Sequence, residues 1–179
     1  MTDAAPSVAP RRATIGFMWR HPARWIALGF GSGLSPAAPG TVGTLWAWIS
    51  FLVLDRWLGP IDWAVLIVLS TAVGWWACTR TARDLGVADP GQIVWDEVVA
   101  FWLVLWLVTP AGFWLQATAF ALFRYFDAAK PGPVRWADGL FKDSHSGAAR
   151  GFGILFDDFV AAGCTLLVIA LGVALGRAW

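Results

Sequence analysis

Charged residues are scarce in this sequence: Asp, Glu, Lys and Arg make up 14% of its 179 residues, against about 25% in a soluble domain. That shortage removes the polar surface a water-soluble globule needs. A mean hydropathy of +0.62 and 58% apolar residues point the same way. Cysteine is scarce too. Cys78 and Cys164 both lie inside apolar runs, so they read as small buried hydrophobes and supply no disulfide framework. Histidine occurs only as His21 and His145, each expected in a loop or at the surface, and neither cysteine lies near the acids, which argues against a zinc site. Tyrosine occurs once, whereas tryptophan occurs 14 times, so Trp must supply nearly all of any aromatic belt at a membrane interface. The formal net charge is only +1, and no nucleic-acid partner is expected.

Long apolar runs take the place of charge. Charge-free stretches fall at Thr41–Leu54, Trp63–Thr79, Val98–Phe123 and Phe159–Gly176, and a membrane span needs about 20 such residues. The third run is too long for one helix and contains Thr109-Pro110-Ala111-Gly112, a turn signal that splits it in two. The expected fold is therefore all-α: a polytopic membrane helical bundle of about five hydrophobic helices, at 42–58, 62–82, 93–109, 112–128 and 154–176. The first, third and fourth are short, so each is expected to place its charged end in the interface, and a four-span variant with one re-entrant helix is the alternative. The chain reads as one domain, 1–179, with a Pro-rich disordered tail over 1–12, an N-terminal interfacial segment within Arg11–Leu34 and a cytoplasmic loop over 139–150. No cleaved signal peptide is read in the N-terminal segment.

Following five spans back and forth puts eleven of the 13 basic residues on the side where the first helix begins, with only Arg56 and Arg177 beyond. That asymmetry makes the near side cytoplasmic. Ten of the 12 acids fall on the same side. Acids do not follow the positive-inside rule, so their clustering asks for another cause, and a site is the natural one.

Three groups of acids stand out. Asp96-Glu97 lies near the start of the third helix, Asp127 near the end of the fourth, and Asp157-Asp158 is expected to open the fifth. A helix macrodipole favours a carboxylate at an N-terminus by about 0.3–1 kcal/mol. That explanation covers one acid per helix start, not two adjacent acids twice. An ion at the bilayer centre costs roughly 2.5–3.5 kcal/mol and usually marks a site. The chemistry suggested is a divalent cation on hard oxygen ligands from several helices, with Mg²⁺ taking one or two carboxylates, waters and a substrate phosphate.

Two further segments could bind phosphate. Gly31–Thr44, GSGLSPAAPGTVGT, opens the first helix with glycines and with the hydroxyls of Ser35, Thr41 and Thr44. It could cradle an anion at a helix N-terminus or simply allow close helix packing through small residues; both readings stand, and the Gly-Lys-Ser/Thr of a Walker A loop is missing. In FRYFDAAKPGP, residues 123–133, Arg124 and Asp127 share a helix face. They could form a plain ion pair, yet Arg124 and Lys130 lie on the same side as the acids, which suits a phosphoester and its metal.

Together these segments resemble the phosphatidylglycerophosphatase A family. The matching stretches are GFGSGLSPAAPGTVGTL at 29–45, DLGVADPGQIVWDEVV at 84–99, FRYFDAAKPGPVRWAD at 123–138 and GFGILFDDFVAAG at 151–163, in family order. The resemblance implies a bacterial inner-membrane enzyme that uses Mg²⁺ to hydrolyse the terminal phosphomonoester of an anionic glycerophospholipid, phosphatidylglycerol phosphate. It implies catalytic roles for Asp96, Glu97, Asp127, Asp157 and Asp158, with metal on Asp96, Glu97, Asp157 and Asp158. Arg124 and Lys130 would bind phosphate, and Asp138 would lie nearby. The sequence departs from the family in a longer Gly139–Arg150 segment and in Gly132, where a Trp is usual.

The Asp-x-Asp-x-Thr/Val signature of soluble aspartyl-phosphatases is absent, which favours direct attack by water over a phosphoryl-enzyme. Two rivals remain: a transporter or channel with the acids as an ion path, and a CDP-alcohol phosphotransferase, whose Asp-Gly-x-x-Ala-Arg pattern is not in this sequence; Asp138-Gly139 is followed by Leu140-Phe141 and then by Lys142-Asp143 in place of Ala-Arg. The oligomeric state is left open.

Overall fold

Proline and glycine set the helix boundaries. Pro22, Pro39, Pro60 and Pro133 each stand in the first turn of a helix, where the fixed φ fits and no N–H is needed. Gly86 closes another in the left-handed conformation, φ 71°. The computed structural model describes residues 12–87, 90–141 and 147–177. Its elements are α1 (Ile15–Met18), α2 (Pro22–Ala27), a 3₁₀ segment (Gly29–Leu34), α3 (Pro39–Leu54), α4 (Pro60–Leu85), α5 (Trp95–Val108), α6 (Phe113–Ala129), α7 (Pro133–Leu140) and α8 (Gly147–Arg177). The described residues contain no strand.

The all-helical expectation holds, and a helix stands at each of the five expected places. The expectation of about five hydrophobic helices is met only in part at the level of membrane crossing. Among the described residues, two helices are long and apolar enough to cross, Pro60–Leu85 and Gly151–Gly176, while Pro39–Leu54 is a shorter apolar helix. α5 and α6 have 14 and 17 residues, short of the roughly 20 a full span needs. Residues 1–11 of the expected tail lie outside the described residues.

Two expectations need correction. The loop drawn over 139–150 is largely helical at its ends, because α7 runs to Leu140 and α8 begins at Gly147. Helix α8 therefore starts seven residues before the place expected from hydropathy, and Asp157-Asp158 sits in its third turn. A hydropathy window registers only the long apolar run; the backbone ladder begins earlier, in the small-residue stretch GAAR at 147–150. Helix-dipole stabilisation, confined to the first turn, accordingly does not explain that pair. The N-terminal segment is made of α1, α2 and the 3₁₀ segment.

α5 is the central helix. Val98, Val99, Ala100, Phe101, Trp102, Val104 and Leu105 are all buried, as expected for a helix apolar on every side. α3, α4, α6 and α8 pack around it. The outer faces of the long helices stay apolar, with Ile61, Val65, Val68, Leu167, Leu171 and Leu175 exposed.

The lengths of these helices position the site. The Trp95 indole N–H, at the first residue of α5, donates to the Ser70 carbonyl in the middle of α4 (3.0 Å). Gly74 makes room for it, since a Cβ there would collide with the Trp95 ring. From Ser70 the α4 helix continues to Leu85, about 22 Å at 1.5 Å per residue. α5 begins and α6 ends near this level, whereas α4 and α8 run on past it. The extensions are dressed by α2, packed on α4, and by α7, packed on α8. Arg24 of α2 ties the first of these contacts, donating to Asp84 at 2.9 Å while lying over the Phe17 ring.

Candidate active site

The residues just before α5 are clamped before any charge is placed. The Ala13 N–H donates to the Gln92 side-chain oxygen at 2.6 Å, and the Val94 N–H donates to the Ala27 carbonyl at 2.9 Å. The glycines of the 3₁₀–α3 segment then pack directly on this strand of chain: a Cβ at Gly33 would strike the Gln92 carbonyl, and one at Gly43 would strike Val94. Gly40 is the critical one, because a Cβ there would overlap the Glu97 Oε1 and come within 3.1 Å of an Arg124 amino nitrogen. Of the two readings of this glycine-rich segment, the geometry favours close packing. Ser35 donates to the Ala37 carbonyl (2.7 Å) and closes its own turn. Thr44 is fully buried and donates to the Gly40 carbonyl at 2.8 Å. Thr41 stands in the first turn of α3.

Three carboxylates meet at the level where α5 begins. Asp96 and Glu97 come from its first turn and Asp158 from α8, each offering an oxygen within 4.8 Å of the others. Asp158 is 3% exposed. Its Oδ2 and the Glu97 Oε2 are buried without a hydrogen-bond partner. Buried polar atoms left in this way are rare and costly, and an unpaired buried charge costs more still. A hard divalent cation satisfies such oxygens. The expected ligand set is thus drawn together for Asp96, Glu97 and Asp158. Asp157 turns elsewhere.

Two cations flank the triad. The Arg124 Nη1 reaches Glu97 at 3.3 Å, the Thr44 hydroxyl at 3.4 Å and Asp127 more closely still. Asp127 lies in the last turns of α6, where the macrodipole disfavours an anion; Arg124, one turn back on the same face, offsets that. All of these Arg124 contacts use Nη1, and the buried Nε has no partner, so the guanidinium keeps N–H donors on Nε and Nη2 for an incoming anion. On the other flank Lys130 donates to Asp138 at 2.6 Å and to Asp157. Burial alone would lower the Lys130 pKa. The hydrogen bonds and charges of Asp138 and Asp157 outweigh it and hold the ammonium above its ordinary value.

Lys130 owes its position to irregular backbone. It ends α6 in the left-handed conformation, φ 44° and ψ 54°, which costs a non-glycine residue about 1–2 kcal/mol. Gly132, also at positive φ, turns the chain into α7, whose Asp138 then faces Lys130. The sequence places Asp138 near the site by resemblance and Gly40 in a segment open to close packing, but does not show that Gly40 packs on Glu97 and Arg124. His21 proves to be a helix cap, its Nδ1 accepting from the Ala23 N–H at 3.1 Å.

Among the described residues, the site belongs to an all-helical bundle with two helices long and apolar enough to cross a membrane, and it sets three carboxylates between an arginine and a lysine. The phosphatidylglycerophosphatase A family model matches residues 25–173. The chain is 39% identical to phosphatidylglycerophosphatase A of Escherichia coli, over 89% of this chain and 86% of that protein. It is 38% identical to the phosphatidylglycerophosphatase A of Haemophilus influenzae, over 83% of this chain and 87% of that protein. A Bacteroides thetaiotaomicron protein, whose name proposes a phosphatidylinositol-3-phosphatase, is 39% identical over 82% of this chain and 90% of its own. No solved structure matches. The chain belongs to the phosphatidylglycerophosphatase A family.

Proposed function

We propose that this protein hydrolyses the terminal phosphomonoester of phosphatidylglycerol phosphate, giving phosphatidylglycerol and phosphate, with Mg²⁺ held by Asp96, Glu97 and Asp158. The observation that carries the reading is the carboxylate triad, with Asp158 buried and with buried, partnerless oxygens on Glu97 and Asp158, set between Arg124 and Lys130. Mg²⁺ there would supply Lewis-acid polarisation of the phosphoryl group and a more acidic water. The chain's own residues do the rest. Arg124, held through Nη1 by Glu97, Asp127 and Thr44, presents its remaining N–H donors to phosphate oxygens. Lys130 offsets charge on the same group. Both act on negative charge that spreads over the equatorial oxygens as the water–phosphorus bond forms and the phosphorus–glycerol oxygen bond breaks. Asp127 positions Arg124, and Asp157 positions Lys130.

The acids gather at one level of the bundle rather than along its length, which supports a site over an ion path. The basic asymmetry of the sequence supports a bacterial cytoplasmic-membrane protein with this site on the cytoplasmic side. Phosphate release by the purified protein from phosphatidylglycerol phosphate, with Mg²⁺ and with a chelator, tests the reading. Rapid release that needs Mg²⁺ is expected. Equal or greater release from phosphatidylinositol 3-phosphate would reassign the substrate, and release unaffected by the chelator would remove the metal.

A further inference from the structure

The Lys130 ammonium occupies a place chemically suited to a second metal ion. It lies between the carboxylates of Asp138 and Asp157, which come from α7 and α8, and Asp157 adjoins the triad ligand Asp158 in sequence. Two-metal phosphoryl-transfer sites set their ions about 3.5–4 Å apart and use them to clamp both oxygens of the displacement. Here one seat is a triad with buried oxygens lacking partners, Asp158 being 3% exposed. The neighbouring seat is already filled by a side chain. Lys130 is not a flexible surface lysine swung in by chance. Its left-handed backbone, followed by Pro131 and the positive-φ Gly132, fixes where its stem begins, and the ammonium is bracketed from two helices. An ammonium has three donors; two are used on Asp138 and Asp157, which leaves one to meet a phosphate oxygen.

We propose that this site takes a single divalent cation, on Asp96, Glu97 and Asp158, and that Lys130 serves as a built-in cation filling the second seat formed by Asp138 and Asp157. The inference rests on the metal reading above and adds a stoichiometry. It also gives Lys130 a role different from that of Arg124: Arg124 orients an anion through a planar donor fork, whereas Lys130 replaces an ion as a point charge.

The test counts Mn²⁺ bound per chain of detergent-purified protein, by calorimetric titration and by electron paramagnetic resonance. The unsubstituted protein binds one ion, and Asp158→Asn binds none. Lys130→Gln opens the second seat and binds two, with the second ion at least ten-fold weaker than the first. Lys130→Gln combined with Asp138→Asn returns to one. Two ions in the unsubstituted protein would overturn the inference, as would a single ion in Lys130→Gln. Should Lys130→Gln lose its cooperative thermal transition, the count for the unsubstituted protein and that for Lys130→Arg decide: one ion in each supports the inference, and two in either overturns it. A single Asp158-dependent ion in both the unsubstituted and Lys130→Gln proteins sinks the built-in cation while the metal reading stands. No bound ion anywhere sinks both.

Discussion

The two flanks of the carboxylate triad are built in opposite ways. The Arg124 flank is regular: Arg124 and Asp127 share one face of α6, Glu97 comes from the first turn of α5, and Gly40 and Thr44 of α3 close the packing. The Lys130 flank is irregular. It depends on a left-handed lysine, a positive-φ glycine and the short helix α7. Helices hold side chains to tolerances that loops do not, so the Arg124 flank is where directional hydrogen bonding belongs. A point charge tolerates a less exact seat, and that is what the Lys130 flank supplies. The comparison makes the triad the shared element and the two cations unequal partners.

Removing the shared element should have the largest effect. Asp158→Asn and Glu97→Gln keep shape but remove the charge a metal requires, and turnover should fall about a thousand-fold, roughly 4 kcal/mol of barrier. The thermal transition in detergent should stay or rise, because each change relieves a buried carboxylate. Near-normal turnover in both variants would dissolve the triad as a metal site.

Next comes the packing of the regular flank. Gly40→Ala inserts a Cβ into the space of the Glu97 carboxylate and crowds Arg124. Turnover should fall about a hundred-fold, near 2.7 kcal/mol, with a higher Mg²⁺ requirement. Gly163→Ala is the matched control, since nothing lies within 4 Å of its added Cβ; it should retain activity and gain stability of about 0.5–1 kcal/mol from helix propensity. Equal behaviour of the two alanines would show that Gly40 has no special contact.

Arg124→Lys tests directionality itself. A simple exposed pair with Asp127 would be worth about 0–1 kcal/mol, and lysine would replace arginine with little loss. A planar fork shared among Glu97, Thr44, Asp127 and an incoming phosphate cannot be copied by an ammonium. Activity should drop at least about ten-fold, near 1.4 kcal/mol, with little change in thermal stability. Loss of folding with full specific activity in the surviving fraction would make Arg124 structural.

The unequal legibility of the two flanks has the same origin as their unequal construction. Arg124 and Asp127 could be placed together from sequence because a helix fixes the i, i+3 relation. Asp96 and Glu97 followed from the apolar run they open. The partnership of Lys130 with Asp138 could not be read, since it requires a left-handed residue where glycine is the usual choice and a helix, α7, in a stretch without a long apolar run. Asp157 and Asp158 were read at a helix start because GAAR, residues 147–150, carries no apolar signal; the structure puts them in the third turn. Their different directions, Asp158 to the triad and Asp157 to Lys130, follow from the 100° step between adjacent helical residues. That step predicts divergence without naming either partner.

The smallest expected effect belongs to Asp138. It lies on α7 beside the exposed Trp136, and an interfacial acid with no other task could be amidated without consequence. The structure instead sets its carboxylate 2.6 Å from the Lys130 ammonium. Asp138→Asn keeps an oxygen able to accept that hydrogen bond but removes the charge. The ammonium should then shift toward Asp157, and turnover should fall about three- to ten-fold, no more than roughly 1.4 kcal/mol. A drop of that size could also come from a disturbed α7, so the decisive measurement is a double-mutant cycle with Lys130→Gln. If Asp138 acts through the ammonium, its substitution should cost nothing further once Lys130 is glutamine, at a Mg²⁺ concentration that fills the triad but not the weaker second seat. Additive losses would show instead that Asp138 serves the fold of α7, and the irregular flank would then rest on Asp157 alone.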